Sequence, residues 1–105
     1  MKELSKTQIK YLRKLSHTEK PLFQMGKQGL TDLFIEQIDQ ALEKRELIKF
    51  HLLQNSDESV DEVAETIAKN IDAIIVQTIG GTAILYRPST REKHQKISQK
   101  VESIK

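Results

Sequence analysis

The spacing of hydrophobic residues predicts three helices. Apolar side chains recur at intervals of three and four over residues 6–16, 30–45 and 60–71, so that each segment has one apolar face. Ser5-Lys6-Thr7-Gln8 and Ser59-Val60-Asp61-Glu62 each have the Ser-x-x-Gln/Glu spacing of a capping box. Two of the three helices are therefore expected to begin immediately after a serine.

Four shorter segments predict strands. Residues 20–25 form a short apolar run, residues 47–53 place Ile48, Phe50 and Leu52 on one face, and residues 74–79 and 82–86 are rich in β-branched residues. Gly80-Gly81 alone separates the last two, which is typical of a two-residue hairpin turn. The order α-β-α-β-α-β-β contains two β-α-β units, which favour parallel pairing. We expect an α/β (α+β two-layer) fold with a four-stranded mixed sheet and helices packed on it.

Length and composition indicate one small globular domain. The chain has 105 residues, no Cys, and 30% charged against 37% hydrophobic residues. We expect a domain over residues 1–88 and a basic tail over residues 89–105, which either docks as a helix or frays. No apolar run is long enough to span a membrane, and the N-terminus does not have the pattern of a signal peptide. We therefore expect a cytoplasmic monomer that does not bind membranes.

Charge is distributed unevenly along the chain. Residues 1–29 carry seven basic and two acidic side chains, and residues 87–105 carry six basic and two acidic ones. Residues 30–86 between them carry four basic and eleven acidic side chains. If the two basic ends lie close in space, they form one positive face that attracts phosphate. Otherwise, the lysine-rich ends serve solubility alone.

Residues that could support catalysis are scattered. His17, His51 and His94 fall on a helix end, a strand and the tail, without a partner at metal-ligand spacing. The chain has no nucleotide-binding or nucleophile motif, and its carboxylates lie on predicted helix faces, where capping and solubility explain them. We expect no enzyme activity, no cofactor and no metal.

One loop has the composition of a phosphate-binding site. Gly26-Lys27-Gln28-Gly29 lies between a predicted strand and the second helix, for which Thr31 or Asp32 is the expected cap. Glycines allow close approach of the backbone to a ligand, a helix N-terminus favours an anion, and Lys27 adds a charge. A GXXG loop clamps the RNA backbone in KH domains. The motif is short, however, and taken alone it also fits an ordinary strand-to-helix turn.

Six segments of the chain occur in the order and spacing of a known domain. They are Leu15-Ser16-His17, Lys20-Pro21, Gly26-Lys27-Gln28-Gly29-Leu30-Thr31, Arg45-Glu46-Leu47-Ile48-Lys49, Val76-Gln77-Thr78-Ile79-Gly80 and Leu85-Tyr86-Arg87-Pro88. Over about residues 4–88 the chain thereby resembles the CRM domain, the chloroplast RNA splicing and ribosome maturation domain, in its free-standing bacterial YhbY-type form.

The resemblance implies a fold like the C-terminal domain of translation initiation factor 3, with the last strand inserted antiparallel between the second and third. It also implies non-catalytic RNA binding and association with precursors of the large ribosomal subunit. Basic residues of the first helix would add phosphate contacts to those of the family positions. The RNA-binding residues expected on these grounds are Gly26, Lys27, Gln28, Gly29, Lys49, Arg87, Lys10, Arg13 and Lys14.

Two other functions remain open from the sequence. The protein could be a general RNA-binding module for messenger or small RNA. It could also be a protein-interaction domain that docks through acidic helix faces carrying Glu36, Asp39 and Glu43.

Overall fold

A computed structural model describes residues 3–26, 29–53 and 59–104. In these ranges the chain forms four α-helices, one turn of 3-10 helix and four strands. The helices are α1 (Lys6–Ser16), α2 (Asp32–Arg45), α3 (Val60–Ile71) and α4 (Lys96–Glu102), with the 3-10 turn at Glu92–His94. The strands are β1 (Phe23–Met25), β2 (Leu47–Leu52), β3 (Ile74–Ile79) and β4 (Thr82–Tyr86).

The caps explain where the helices begin. The Ser5 hydroxyl accepts from the Gln8 amide at 3.1 Å, and the Gln8 side chain accepts from the Ser5 amide at 2.8 Å, so the first capping box is confirmed. Thr31 caps α2 by accepting from the Phe34 amide. The second predicted box is wrong in detail, because Ser59 accepts from the amide of Asp61 and not from that of the third helical residue.

The strands form one mixed sheet in the order β1-β2-β4-β3. β1 pairs in parallel with β2, and β4 pairs antiparallel with both β2 and β3. The mixed sheet and the insertion of β4 between β2 and β3 are therefore confirmed. The glycine pair between β3 and β4 forms the predicted hairpin turn, with Gly80 at a φ of 56° that favours glycine.

The sheet separates two hydrophobic clusters, and each is covered by a different pair of helices. On one face, α2 and α3 pack against β-strand residues around Ile48, Phe50 and Leu85. On the other, α1 and α4 pack against Leu47 and Tyr86. Leu33 of α2 is 64% exposed, although Phe34 beside it is buried in the first of these clusters.

The segment after β4 docks as a helix. Val101 of α4 is 2% exposed and packs in the cluster that contains Leu12 of α1. The Gln8 side chain donates to the carbonyl oxygens of Val101 and Ile104 at 2.9 and 3.0 Å, which joins the two helices. The alternative of a frayed tail is therefore wrong for residues 96–102.

Candidate nucleic-acid interface

The Gly26–Gly29 loop joins the carboxyl end of β1 to the cap of α2. The Gly29 amide donates to the Gly26 carbonyl at 3.1 Å, which makes the connection a tight turn. Gly29 has a φ of 76°, a conformation that strongly favours glycine. Gly26 is exposed, and no heavy atom would lie within 4 Å of a Cβ built on it, so the space outside it is open.

Lys27 and Gln28, the two other expected residues of this loop, lie outside the described residues. Their predicted contacts with RNA stay predictions. The structure describes the elements that flank them: β1 ends at Met25, and α2 begins at Asp32.

The sheet topology brings the loop to the same end of the molecule as two other connections. Since β1 and β2 are parallel, their carboxyl ends lie side by side, with Met25 paired to Leu52. His51 pairs with Thr82 at the start of β4, which places the Gly80-Gly81 turn at this end as well. We call this end of the sheet the loop end.

The basic residues of the first helix are accessible. Lys10, Arg13 and Lys14 are all exposed on α1. The Arg13 Nε–H also donates to the Val76 carbonyl at 3.4 Å, which directs this side chain across the edge strand β3. The three residues expected to contact phosphate from α1 therefore lie in one accessible region, beside the sheet.

Charge is segregated between the two helical layers. We call α1 with α4 the basic layer, because together they carry six basic residues and one acidic residue. We call α2 with α3 the acidic layer, since together they carry seven acidic residues and three basic ones. The helices of the two basic chain ends thus meet on one face of the sheet, while Arg87 and Arg91 lie beside α2 of the acidic layer.

Lys49 lies on the face of the basic layer, where its ammonium group has structural partners. It donates to the carbonyl oxygens of Ser16 and Glu19, each at 3.4 Å, just at and beyond the end of α1. A cation at this position satisfies free carbonyl groups and interacts favourably with the helix dipole. Lys49 therefore stabilises the end of the helix that carries the exposed basic residues.

Arg87 lies on the opposite face and is separated from the other expected residues. Its side chain is 13% exposed, and it forms an ion pair with Asp39 of α2. It also donates to the Ile71 carbonyl at 2.9 Å and to the Asp39 carbonyl at 3.0 Å, and it lies 3.6 Å from a Glu43 oxygen. These contacts join α2, α3 and the end of β4, and they weigh against a phosphate contact.

Sequence reasoning missed the residue that anchors the C-terminal segment. Glu46, fully buried between α2 and β2, accepts from the backbone amides of Ser89 at 2.7 Å, Ile97 at 3.0 Å and Ser98 at 2.9 Å. Its φ of 67° turns the chain from α2 into β2. In the sequence it is an ordinary acidic residue at a helix–strand junction, and its partners lie 43 to 52 positions further on.

Glu43 holds the same segment from the surface. Its carboxylate accepts from the Thr90 hydroxyl and amide, both at 2.6 Å, and from the Ser89 hydroxyl at 2.8 Å. The hydrogen bond from the Thr90 hydroxyl is the largest cause that lowers the pKa of Glu43, and Ser89 and Arg87 lower it further. Together they outweigh the opposite effect of partial burial, and the pKa is about 2.

Two features of the described residues bear on the kind of site. Within residues 3–26, 29–53 and 59–104, no three acidic or histidine side chains are grouped so that they could hold a metal ion. None of the helices described has the length and apolar character needed to cross a membrane.

Comparison with known proteins gives consistent relatives. The chain is 46% identical over 90 residues to the Bacillus subtilis protein named "Probable RNA-binding protein YqeI", covering 86% of this chain and 94% of that one. It is 36% identical over 95 residues to a Haemophilus influenzae protein named "RNA-binding protein", covering 90% and 96%. Among solved structures, a candidate RNA-binding protein from Staphylococcus aureus matches with a TM-score of 0.73 and 42% identity, over 90% of this chain and 98% of that one.

The family model for the CRS1 / YhbY (CRM) domain matches residues 4–87. That range begins one residue before the cap of α1 and ends one residue after β4. It therefore includes α1, α2, α3 and all four strands, but not α4. The chain belongs to the CRS1/YhbY (CRM) domain family.

Proposed function

We propose that the protein binds RNA as a monomer, through its basic layer and the Gly26–Gly29 loop, and that it does not catalyse a reaction on the RNA. The observation that carries this proposal is the segregation of charge onto opposite faces of the sheet. A face with six basic residues and one acidic residue attracts a polyanion, while the acidic layer disfavours binding in any other orientation. Relatives named as RNA-binding proteins support the choice of RNA as that polyanion.

Within this face, the exposed α1 side chains Lys10, Arg13 and Lys14 are proposed to contact phosphates. Gly26 and Gly29 would let the backbone approach the RNA closely, with Lys27 and Gln28 completing the contact. Lys49 would act through α1 by stabilising its end. Arg87 would hold α2, α3 and β4 together instead of contacting RNA.

The expected target is ribosomal RNA in precursors of the large ribosomal subunit, in the cytoplasm. The family resemblance motivates this choice, and the other RNA classes are its alternatives. Crosslinking the protein to RNA in cells and sequencing the attached fragments tests it. Fragments clustered at one site of the large-subunit RNA support the proposal, whereas messenger or small RNA spread over many species would favour the general RNA-binding module.

The use of the basic layer can be tested with two matched triple variants. One replaces Lys10, Arg13 and Lys14 by Ala. The other replaces Lys44, Arg45 and Lys69, which are exposed on the acidic layer and have the same composition of two Lys and one Arg.

We expect the α1 triple variant to lose at least about tenfold in RNA affinity at moderate salt, because three phosphate contacts are removed. The control triple should bind nearly as the wild type does. Equal losses in the two variants would show that net charge, and not the basic layer, determines binding.

The structure gives less support to docking of a protein through the acidic layer. Of the three acidic residues expected there, Asp39 pairs with Arg87 and Glu43 binds Ser89 and Thr90. Reversing their charge would disturb the fold itself. Glu36→Lys is the cleaner test, since Glu36 is exposed and its side chain contacts Gln40 one turn along the same helix.

A further inference from the structure

A row of polar side chains crosses the sheet next to the loop end. Strand register places Gln24 of β1 beside His51 of β2, and His51 beside Thr82 of β4. Ile79 of β3 follows Thr82 at the far edge of the sheet. We call Gln24, His51 and Thr82 the polar row.

The polar row belongs to the face of the basic layer. Along β2, Ile48 and Phe50 pack with α2 and α3, so Leu47, Lys49 and His51 point to the other side. Gln24 likewise lies between Phe23 and Met25, which pack with α2 and α3.

The basic layer does not cover this row. α1 ends above Lys49, the residue of β2 that precedes His51 on this face. The Lys49 ammonium group donates to the carbonyl of Ser16, the last residue of α1. Gln24 is exposed, and Ile79 is 57% exposed. A shallow cavity of about 540 Å³ lies at the β1 side, and its lining includes Lys20, Gln24 and His51. Its size is within the range of small-ligand pockets, roughly 300–1,000 Å³.

His51 is held in position by its neighbours. Its Nδ1 lies 3.0 Å from the Thr82 hydroxyl oxygen, a hydrogen bond that fixes the ring and leaves Nε2 outside that contact. The ring also packs against the turn: a Cβ at Gly81 would lie 3.5 Å from the ring carbon Cε1, an ordinary contact distance. The imidazole is therefore presented in one orientation.

We propose that the polar row binds the ribose of RNA through its 2′-hydroxyl, an inference that rests on the proposed function. The amide of Gln24, the imidazole of His51 and the hydroxyl of Thr82 include both donors and acceptors, and so match a hydroxyl that can donate and accept. A phosphate would require cations, and among the described residues that line the cavity Lys20 supplies the single positive side chain.

Base stacking is a poorer fit to this surface. Phe23 lines the cavity, but its ring packs on the other face, 6.2 Å from the ring of Phe34 in an edge-to-face arrangement. The one aromatic ring of the row is the His51 imidazole, which is smaller than a phenyl or indole ring and is held by its hydrogen bond to Thr82. The polar row would therefore distinguish RNA from DNA and be indifferent to the base.

The test compares RNA with DNA. Gln24→Ala, His51→Ala and Thr82→Val are measured by fluorescence anisotropy with labelled single-stranded oligonucleotides of equal length: adenine-only RNA, uracil-only RNA and the corresponding adenine-only and thymine-only DNA. Matched controls are Gln40→Ala and His94→Ala, which change the same residue types beside the acidic layer. Thr82→Val keeps the side-chain shape, and thermal denaturation verifies the fold of each variant.

We expect each polar-row variant to weaken RNA binding by roughly 3- to 10-fold, the range for loss of one hydrogen bond, on both RNA sequences. DNA binding should be unchanged, and the controls should bind as the wild type does. Equal losses on RNA and DNA, a loss confined to one base, or no loss at all would overturn the inference while leaving the proposed function intact. If the wild-type protein binds none of the oligonucleotides, a titration with large-subunit RNA separates the two proposals: binding of that RNA alone would overturn the ribose inference, and binding of neither would overturn the proposed function.

Discussion

Gly26 and Gly29 belong to the same loop, but they differ in how well the backbone at each position would accommodate a side chain. Gly29 has a positive φ, in which a Cβ is strained whatever the surrounding space. Gly26 has no such φ, and the space around a built Cβ is empty. In the sequence the two glycines look equivalent. In the structure only Gly29 has a backbone conformation that favours glycine.

Gly29→Ala should therefore lower the free energy of unfolding by about 1–2 kcal/mol, the cost of a left-handed conformation in an L-residue. Gly26→Ala is the control and should change it by less than about 0.5 kcal/mol, as surface substitutions do. Urea denaturation measures both. If RNA binding also needs close approach at Gly26, that variant will bind RNA more weakly at unchanged stability.

The lowered pKa of Glu43 predicts that the stability of the protein depends on pH in the acidic range. Its pKa is about 2 in the folded protein against an ordinary value of 4.5, so between these values the unfolded chain binds more protons. Its contribution is fully present above pH 4.5 and is lost as the pH falls toward 2. Glu43→Gln should have a shallower decrease of stability across this interval, measured by urea denaturation over a series of pH values. Parallel decreases in wild type and variant would contradict the assignment.

At the scale of elements, α4 is held by one buried carboxylate. Glu46 lies between α2 and β2, and it accepts from the amides of Ile97 and Ser98 in the first turn of α4. A seven-residue helix is too short to be stable alone. Its existence therefore depends on this anchor and on burial of Val101 against α1.

We expect Glu46→Ala to destabilise the protein by about 3 kcal/mol, because three backbone amides lose a charged acceptor. Glu46→Gly loses the same acceptor but relieves the left-handed backbone, so it should be about 1 kcal/mol less damaging. Hydrogen exchange should show α4 losing protection before the sheet. If α4 stayed protected in both variants, the carboxylate would not be its anchor.

At the scale of the whole molecule, the sheet separates the basic layer of helices from the acidic layer. Helices α1 and α4 come from opposite ends of the chain and share one face, where Glu46 and the burial of Val101 hold α4. The charged faces lie on opposite sides of a single sheet, so RNA bound to the basic layer would be kept from the acidic one.

The salt dependence of RNA binding should report this arrangement. Removing Lys10, Arg13 and Lys14 together should reduce the slope of log affinity against log salt by about 2 for single-stranded RNA, at about 0.7 per phosphate contact. The control triple at Lys44, Arg45 and Lys69 should leave the slope unchanged. A reduced affinity with an unchanged slope would mean that the α1 residues do not contact phosphates.

The sequence alone determined three of the helices and the four strands of this protein. Helix α1, the hairpin and the α3 segment depend on contacts between residues a few positions apart, such as the Ser5–Gln8 capping box and the Gly80-Gly81 turn. Interactions at that range are readable from spacing and composition. The family resemblance added the position of β4, which local pattern does not specify.

Tertiary structure decided which charged residues are available to a ligand. Lys49 and Arg87 look alike in the sequence as basic residues near strands, yet one contacts the end of α1 and the other is enclosed by α2, α3 and β4. Glu46 and the polar row depend on partners 27 to 52 positions away. Such contacts exist only once the sheet has assembled, because strand register and helix packing, and not local spacing, bring distant groups within hydrogen-bonding distance.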